Sequence, residues 1–394
     1  MDFGNILYNL IFDYTLRNIA LGSAILGIVS GVLGSFALLR RQSLLGDALS
    51  HAALPGVVVA FVLSGYSKSP IVLLAGAAAA GWLGAALLTL IVRNTRIKED
   101  TAMGIVLSVF FGTGYMFLSI LRRSGSAEQA GLDRYLFGSA SSLIASDVET
   151  MFVLGAVAIG ITVLFFKEFK LLAFDADFMA TQGFPVRRVD VLLTSLIVVA
   201  IMIGLQTVGV VLMSAMLTAP GASARQWTNR LSLMLGIGVL VGALSGVVGA
   251  VVSMVAEIPT GPAIVLALTA ATLISFLFGT ERGLVWAWLR TRQSQRAIKA
   301  ETVLLDLYRI AERHKDRGYA APTGLIGNGK LGRTLQQLET QGLVRALSSS
   351  TWALTNDGYS AAQRAAAAHQ PVLSALPERT AETPPHAPAF GNSA

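Results

Sequence analysis

The chain has 394 residues, 54% of them hydrophobic and only 13% charged, with a formal charge of +7, a mean hydropathy of +0.63 and no cysteine. Soluble domains carry about a quarter charged residues, so this composition excludes an ordinary soluble protein and, with apolar runs of about twenty residues, marks a polytopic membrane protein. The missing cysteines exclude disulfides and thiolate metal sites. The excess positive charge is that of basic residues at the cytoplasmic ends of membrane helices and gives no reason to expect a nucleic-acid partner.

Residues 1–16 are amphipathic and read as an interfacial segment. They carry early acidic residues and no basic n-region, so insertion through the protein's own spans is expected. Apolar stretches follow at 17–39, 44–64, 70–92, 101–121, 149–166, 188–205, 208–224, 232–255 and 262–279. The sixth and seventh run together without a charged break, which leaves eight or nine spans open within a transmembrane domain over 17–280. Arg40–Arg41, the basic run 93–98, Lys167 and Lys170 with Arg187–Arg188, and Arg225 with Arg230 fall on alternate loops of a nine-span chain. The positive-inside rule puts these loops, and the C-terminal region, in the cytoplasm. Gly27 with Gly31, and Gly238, Gly242 and Gly246, form stripes at four-residue spacing that let helices approach closely.

The second stretch holds "GDALSHAALPG", with Asp47 and His51 one helical turn apart on one face, Ser50 beside them and Pro55 interrupting the ladder. An ionised side chain within a span costs about 2.5–3.5 kcal/mol on insertion scales and by default marks a pathway. Carboxylate oxygen with imidazole nitrogen suits Mn²⁺, Zn²⁺ or Fe²⁺. A proton relay would use the same two residues, and a structural Asp–His hydrogen bond is the plainer alternative. One chain offers two such ligands here; a two-fold pair of subunits would offer four.

"RRQSLLGDALSHAALPGVVVAF" (40–61) resembles the signature of the manganese/zinc/iron permease family of ATP-binding-cassette importers. "IKEDTAMGIVLS" (97–108), "LLAFDADFMATQGFPVRRVDVLL" (171–193), "TVGVVLMSAMLTAPGASAR" (207–225) and "IPTGPAIVL" (258–266) continue the resemblance in order. It implies a type II importer-like permease in a bacterial plasma (inner) membrane. Its implied partners are a second permease subunit (identical or not), cytosolic ATPases that carry the ATP, and an extracytoplasmic metal-binding protein. Metal passage would fall on Asp47 and His51, with Ser50 and Pro55 as pathway candidates. Coupling to the ATPase would fall on Phe174, Asp175, Phe178, Ala180 and Gly183. From the residues alone, Asp175 reads as an N-cap and Gly183 as the stop of a short helix between spans.

Composition turns polar after Gly279: 281–300 reads as a linker or helix extension, 301–370 as a small α+β cytosolic domain, and 371–394, rich in Pro, Ala and Thr, as a disordered tail. The order helix, helix, hairpin, helix, with "LETQGLV" and "LTNDGYSAAQRAAAAH", resembles a winged helix of the metal-dependent repressors. It departs from them at the Gly-rich 318–330, and His369 lacks an acidic or thiol companion. A regulatory or ATPase-contacting role is expected; a membrane-tethered regulator is the alternative. "GLIGNGKL" (324–331) has phosphate-loop spacing but Leu331 where Ser or Thr should hold Mg²⁺, so no ATPase activity is expected of this chain.

Overall fold

The computed structural model describes residues 13–67, 69–123, 138, 140, 143–325, 332–348 and 350–373. They fall into two compact units, Met1–Trp286 and Ala287–Ala394. The first unit is helical: α1 (Tyr14–Leu39), α2 (Leu45–Leu63), α3 (Pro70–Asn94), α4 (Glu99–Arg123), α5 (Ala145–Leu164), α6 (Phe166–Phe174), α7 (Ala176–Thr181), α8 (Val186–Thr207), α9 (Val210–Arg225), α10 (Leu231–Ala256) and α11 (Thr260–Phe278). Of the segment expected to lie in the interface, 1–12 falls outside the described residues. Residues 14–16 instead open α1, whose first turn is capped by Asp13 accepting the Leu16 N–H at 2.8 Å.

Eight helices among the described residues are long and apolar enough to cross a membrane. The two stretches that run together in the sequence are resolved as the full-length α8 and the 16-residue α9. At 1.5 Å per residue α9 is about 24 Å long, short of the ~30 Å hydrocarbon core. The break is at Gly209, with φ +82°, and the neighbouring Thr207 and Val208 are fully buried. Irregular backbone at such depth is tolerated only inside protein. Here Gly138 lies against it: a Cβ on Gly138 would sit 2.4 Å from the Val208 carbonyl carbon.

Helix α1 is central, packed by α5, α8, α9 and α10. Its closest neighbour is α10, because their glycines meet. A Cβ on Gly27 would fall 2.3 Å from the Gly242 carbonyl, one on Gly31 2.6 Å from that of Gly238, and one on Gly246 2.6 Å from the Ser23 oxygen. Both glycine stripes are therefore packing seams. The other long helices leave Leu, Val and Phe side chains on outward faces, as lipid contact requires. Arg225, at the end of α9, lies close enough to Arg41 and Arg282 for their charges to oppose one another, so these basic residues share one end of the bundle.

The second unit opens within a continuous helix α12 (Leu284–Arg313), which runs through the stretch read as linker or helix extension. It continues with strand β1 (Ala321–Pro322), α13 (Gly332–Thr340), β2 (Val344–Ser348), β3 (Thr351–Leu354) and α14 (Asn356–Leu373). The strands form an antiparallel sheet of order β1–β3–β2. Leu304, Leu307, Leu335, Leu338, Val344 and Trp352 form its core. The phosphate-loop-like run lies largely, and the C-terminal tail from 374 wholly, outside the described residues.

Candidate metal site and coupling surface

Asp47 is the third residue of α2 and His51 stands one turn further on. The pair therefore sits near the basic end of the bundle rather than at mid-span. Nε2 of His51 is 3.4 Å from Oδ1 of Asp47, with 13% and 30% of the two side chains exposed. That spacing is long for a hydrogen bond. Two metal bonds of about 2.1 Å opened to the tetrahedral angle span a chord of about 3.4 Å, so the pair is spaced as two ligands of one ion would be. The His51 ring meets the Phe111 ring edge-on at 4.8 Å between centroids, and its Nδ1 is buried without a hydrogen-bond partner.

Helix α2 is buried on nearly every side, by α3, α4, α8 and α9. Its strongly exposed residues, Val59, Val62 and Leu63 at 40%, 44% and 82%, lie at its far end beyond the buried Pro55. Asp47 and His51, in its first two turns, keep part of their side chains exposed. Ser50 does not: it is fully buried and its hydroxyl donates to the Gly46 carbonyl of its own helix. Pro55 is also buried, and it packs where a Cβ on Gly114 would lie 2.9 Å from its ring. Among the described residues no third His, Cys, Asp or Glu joins the pair.

The second element is the turn between membrane helices at 166–185. Asp175 caps α7 by accepting the Phe178 N–H at 2.8 Å. The helix ends at Gly183, φ +81°, whose N–H donates to Ala180 while the Phe184 N–H donates to Met179. Such a closure needs a left-handed residue, which glycine supplies without strain. Met179 is fully buried and anchors α7, whereas Phe174, Phe178 and Phe184 are 60%, 49% and 43% exposed. Ala180 is exposed beside them. Three aromatic rings are thus left open on and beside the capped helix.

The family model "ABC 3 transport family" matches residues 12–279. The chain belongs to this family. Within the ABC 3 transport family it is similar to the zinc transport system membrane protein TroC of Treponema pallidum (strain Nichols), 48% identical over 290 residues, 73% of this chain and 97% of that protein. It is also similar to the manganese transport system membrane protein MntC of Bacillus subtilis (strain 168), 41% identical over 347 residues, 86% of this chain and 78% of that protein. That second similarity is longer than the first structural unit and so reaches into the second. Among solved structures, PsaBC from Streptococcus pneumoniae in complex with Fab has a TM-score of 0.65 and 30% identity, covering 74% of this chain and all of that one.

Two features of this ABC 3 family chain carry no strong sequence signal. Phe111 on α4 meets the His51 ring edge-on, and Tyr115, one turn further along α4, lies against Phe111. The i, i+4 spacing hints at a shared face, but nothing local says that α4 faces α2. Likewise Arg40, before α2, pairs with Asp190 on α8, 150 residues away.

Proposed function

We infer that the chain is the membrane permease subunit of an ATP-binding-cassette importer for a divalent transition metal. The observation that carries this is the Asp47–His51 pair, held at 3.4 Å and left partly exposed on an otherwise largely buried stretch of α2. The family match and the zinc and manganese transport relatives support it. Zn²⁺, Mn²⁺ and Fe²⁺ are all cargo that one carboxylate oxygen and one imidazole nitrogen accept.

The mechanism follows from what the chain lacks as much as from what it has. Two ligands hold a transition ion loosely, and a second permease subunit facing this pair would bring two more. An ion delivered by an extracytoplasmic metal-binding protein would be held briefly between the subunits. His51 would ligate through Nε2 in its neutral form, with Phe111 excluding water from the ring's far side. Ser50 and Pro55 support the helix that carries the ligands. On the cytoplasmic side, Phe174 and Phe178 would enter a groove of the partner ATPase, with Asp175, Ala180 and Gly183 holding α7 in shape. ATP binding and hydrolysis belong to that partner, and α8, directly attached to α7, would transmit its motion.

The second unit has the order helix, strand, helix, hairpin, helix, which supports a winged-helix-like regulatory domain on the cytoplasmic side. We assign it contact with the ATPase rather than DNA recognition.

The deciding experiment is uptake of labelled Mn²⁺, Zn²⁺ and Fe²⁺ in competition, with the partner ATPase intact or with its phosphate-loop lysine replaced. Uptake that persists without ATP hydrolysis and follows a proton gradient would replace this reading with a secondary transporter. Truncation after residue 289 tests the second unit: assembly should survive and the dependence of uptake on internal metal should change.

A further inference from the structure

Outside the metal pathway, a cleft of about 480 Å³ opens between α3 and α8. Arg93 and Asn94, from the last turn of α3, and Arg187, from the first turn of α8, stand at its mouth. Both arginines are exposed, and no carboxylate pairs with either among the described residues. The one acidic residue in the lining, Asp190, is already taken by Arg40. The mouth therefore keeps two uncompensated guanidinium charges. Thr89, Thr194 and Ser195 add hydroxyls below it, and Ala85, Leu90 and Val191 line the walls down to Trp82.

The cleft's dimensions bear on its occupant. From Arg93 to Trp82 is eleven residues of helix, about 16 Å, which is close to the ~15 Å depth of one leaflet's hydrocarbon. Just below Trp82 the helices close together, where a Cβ on Gly81 would lie 3.2 Å from Val198. A cationic mouth at the basic end, an apolar shaft one leaflet deep and a closed floor fit a molecule with an anionic head and a hydrocarbon tail.

We propose that this cleft binds one anionic phospholipid of the cytoplasmic leaflet, its phosphate on Arg93 and Arg187 and an acyl chain along Leu90 and Trp82. Basic pockets between membrane helices on the cytoplasmic side recognise such head groups. The bound lipid braces α3 against α8 two residues beyond the turn that ends α7, so lipid composition sets how firmly the coupling segment is held. The leaflet assignment rests on the orientation adopted under Proposed function.

The test uses the purified full-length chain titrated with phosphatidylglycerol or phosphatidylcholine and read by native mass spectrometry. One phosphatidylglycerol per subunit should be retained, and phosphatidylcholine should be lost at the same activation energy. The double variant Arg93→Gln, Arg187→Gln should bind phosphatidylglycerol roughly thirty-fold more weakly, at about fivefold per arginine, and Arg93→Lys, Arg187→Lys should recover most of the affinity. Phosphatidylglycerol brominated in the acyl chain should quench a fluorescence component that Trp82→Phe removes. Equal retention by the Gln and wild-type chains would overturn the proposal. So would displacement by millimolar inorganic phosphate without any quenching of Trp82, which would make the mouth a free-anion site. Protection of a cysteine at Asn94 by a partner subunit, with no lipid retained, would make the cleft an interface instead. If that cysteine is labelled from outside the cell, the orientation and the leaflet assignment fall, independently of the lipid titration.

Discussion

The Asp190 carboxylate accepts the guanidinium of Arg40, and so fastens the turn before α2 to the first part of α8. The Asp47 helix and the helix that follows α7 are thereby joined by one ion pair, whose side chains are 13% and 24% exposed. Asp190→Asn leaves the arginine charge without its partner, at a cost on the order of 2 kcal/mol. We expect ATP hydrolysis to continue while metal uptake per ATP falls several-fold. Parallel ATPase and uptake assays in proteoliposomes check this; an unchanged ratio would sever the link between pair and coupling.

At the metal pair, His51→Ala and Asp47→Ala should each abolish uptake while leaving assembly with the ATPase intact. Each removes one of the two side chains proposed to hold the ion. Size-exclusion chromatography and labelled-metal uptake give the two readouts. Near-normal transport in both variants would leave the pair with a structural role only.

The α1–α10 seam should be intolerant of a single methyl group. Gly27→Ala would put a Cβ 2.3 Å from the Gly242 backbone, which cannot rotate away, whereas Gly236→Ala, on the same helix as Gly242, meets nothing within 4 Å. Overpacking typically costs about 1–3 kcal/mol, and backbone contacts lie at the upper end. Thermal denaturation in detergent should show a lowered Tm for Gly27→Ala and no shift for Gly236→Ala.

Coupling should fail in graded steps along α7. Phe178→Ala removes an exposed ring and should weaken ATPase binding without altering the permease's own stability. Asp175→Ala removes the cap, worth about 1 kcal/mol, and Gly183→Ala forces φ +81° on a Cβ-bearing residue, a further ~1–2 kcal/mol. Because the chain has no cysteine, single cysteines at these positions can be cross-linked to the ATPase directly. Reaction with an impermeant reagent from outside would reverse the topology.

In the second unit, burial pushes the Tyr308 hydroxyl up to about 12, with Glu312 and Tyr359 adding to the effect. The folded state thus holds this proton more tightly than the unfolded chain does. Its contribution to stability is complete below about pH 10 and is lost as pH rises from there towards 12. The alkaline difference spectrum between the full-length chain and Tyr308→Phe should show a late-titrating tyrosinate near pH 12. A difference centred near pH 10 would remove the buried environment from the account.

Much of the architecture was legible because membrane insertion leaves a coarse mark. Apolar length alone locates most of the spans, and the Asp175 and Gly183 caps depend on neighbours within four residues. Asp47 and His51 were visible for the same reason: ionisable groups in an apolar run are costly enough to stand out. Other features depended on contacts between segments distant in the chain. The α8–α9 break carries only a glycine as local signal, and its contact with Gly138 comes from a distant part of the chain.

The sequence by itself determined the polytopic class, the paired metal-binding candidates and the two glycine stripes, since each is a property of spacing along one helix and the energetics of lipid exposure. Only the tertiary structure decided which faces meet. It set α1 against α10 through those stripes, left Asp47 and His51 partly exposed while turning Ser50 inward, and paired Arg40 with Asp190 across 150 residues. The physical reason is that a helix's periodicity defines its own faces, while the neighbour a face receives depends on side-chain and backbone fit summed over the whole bundle.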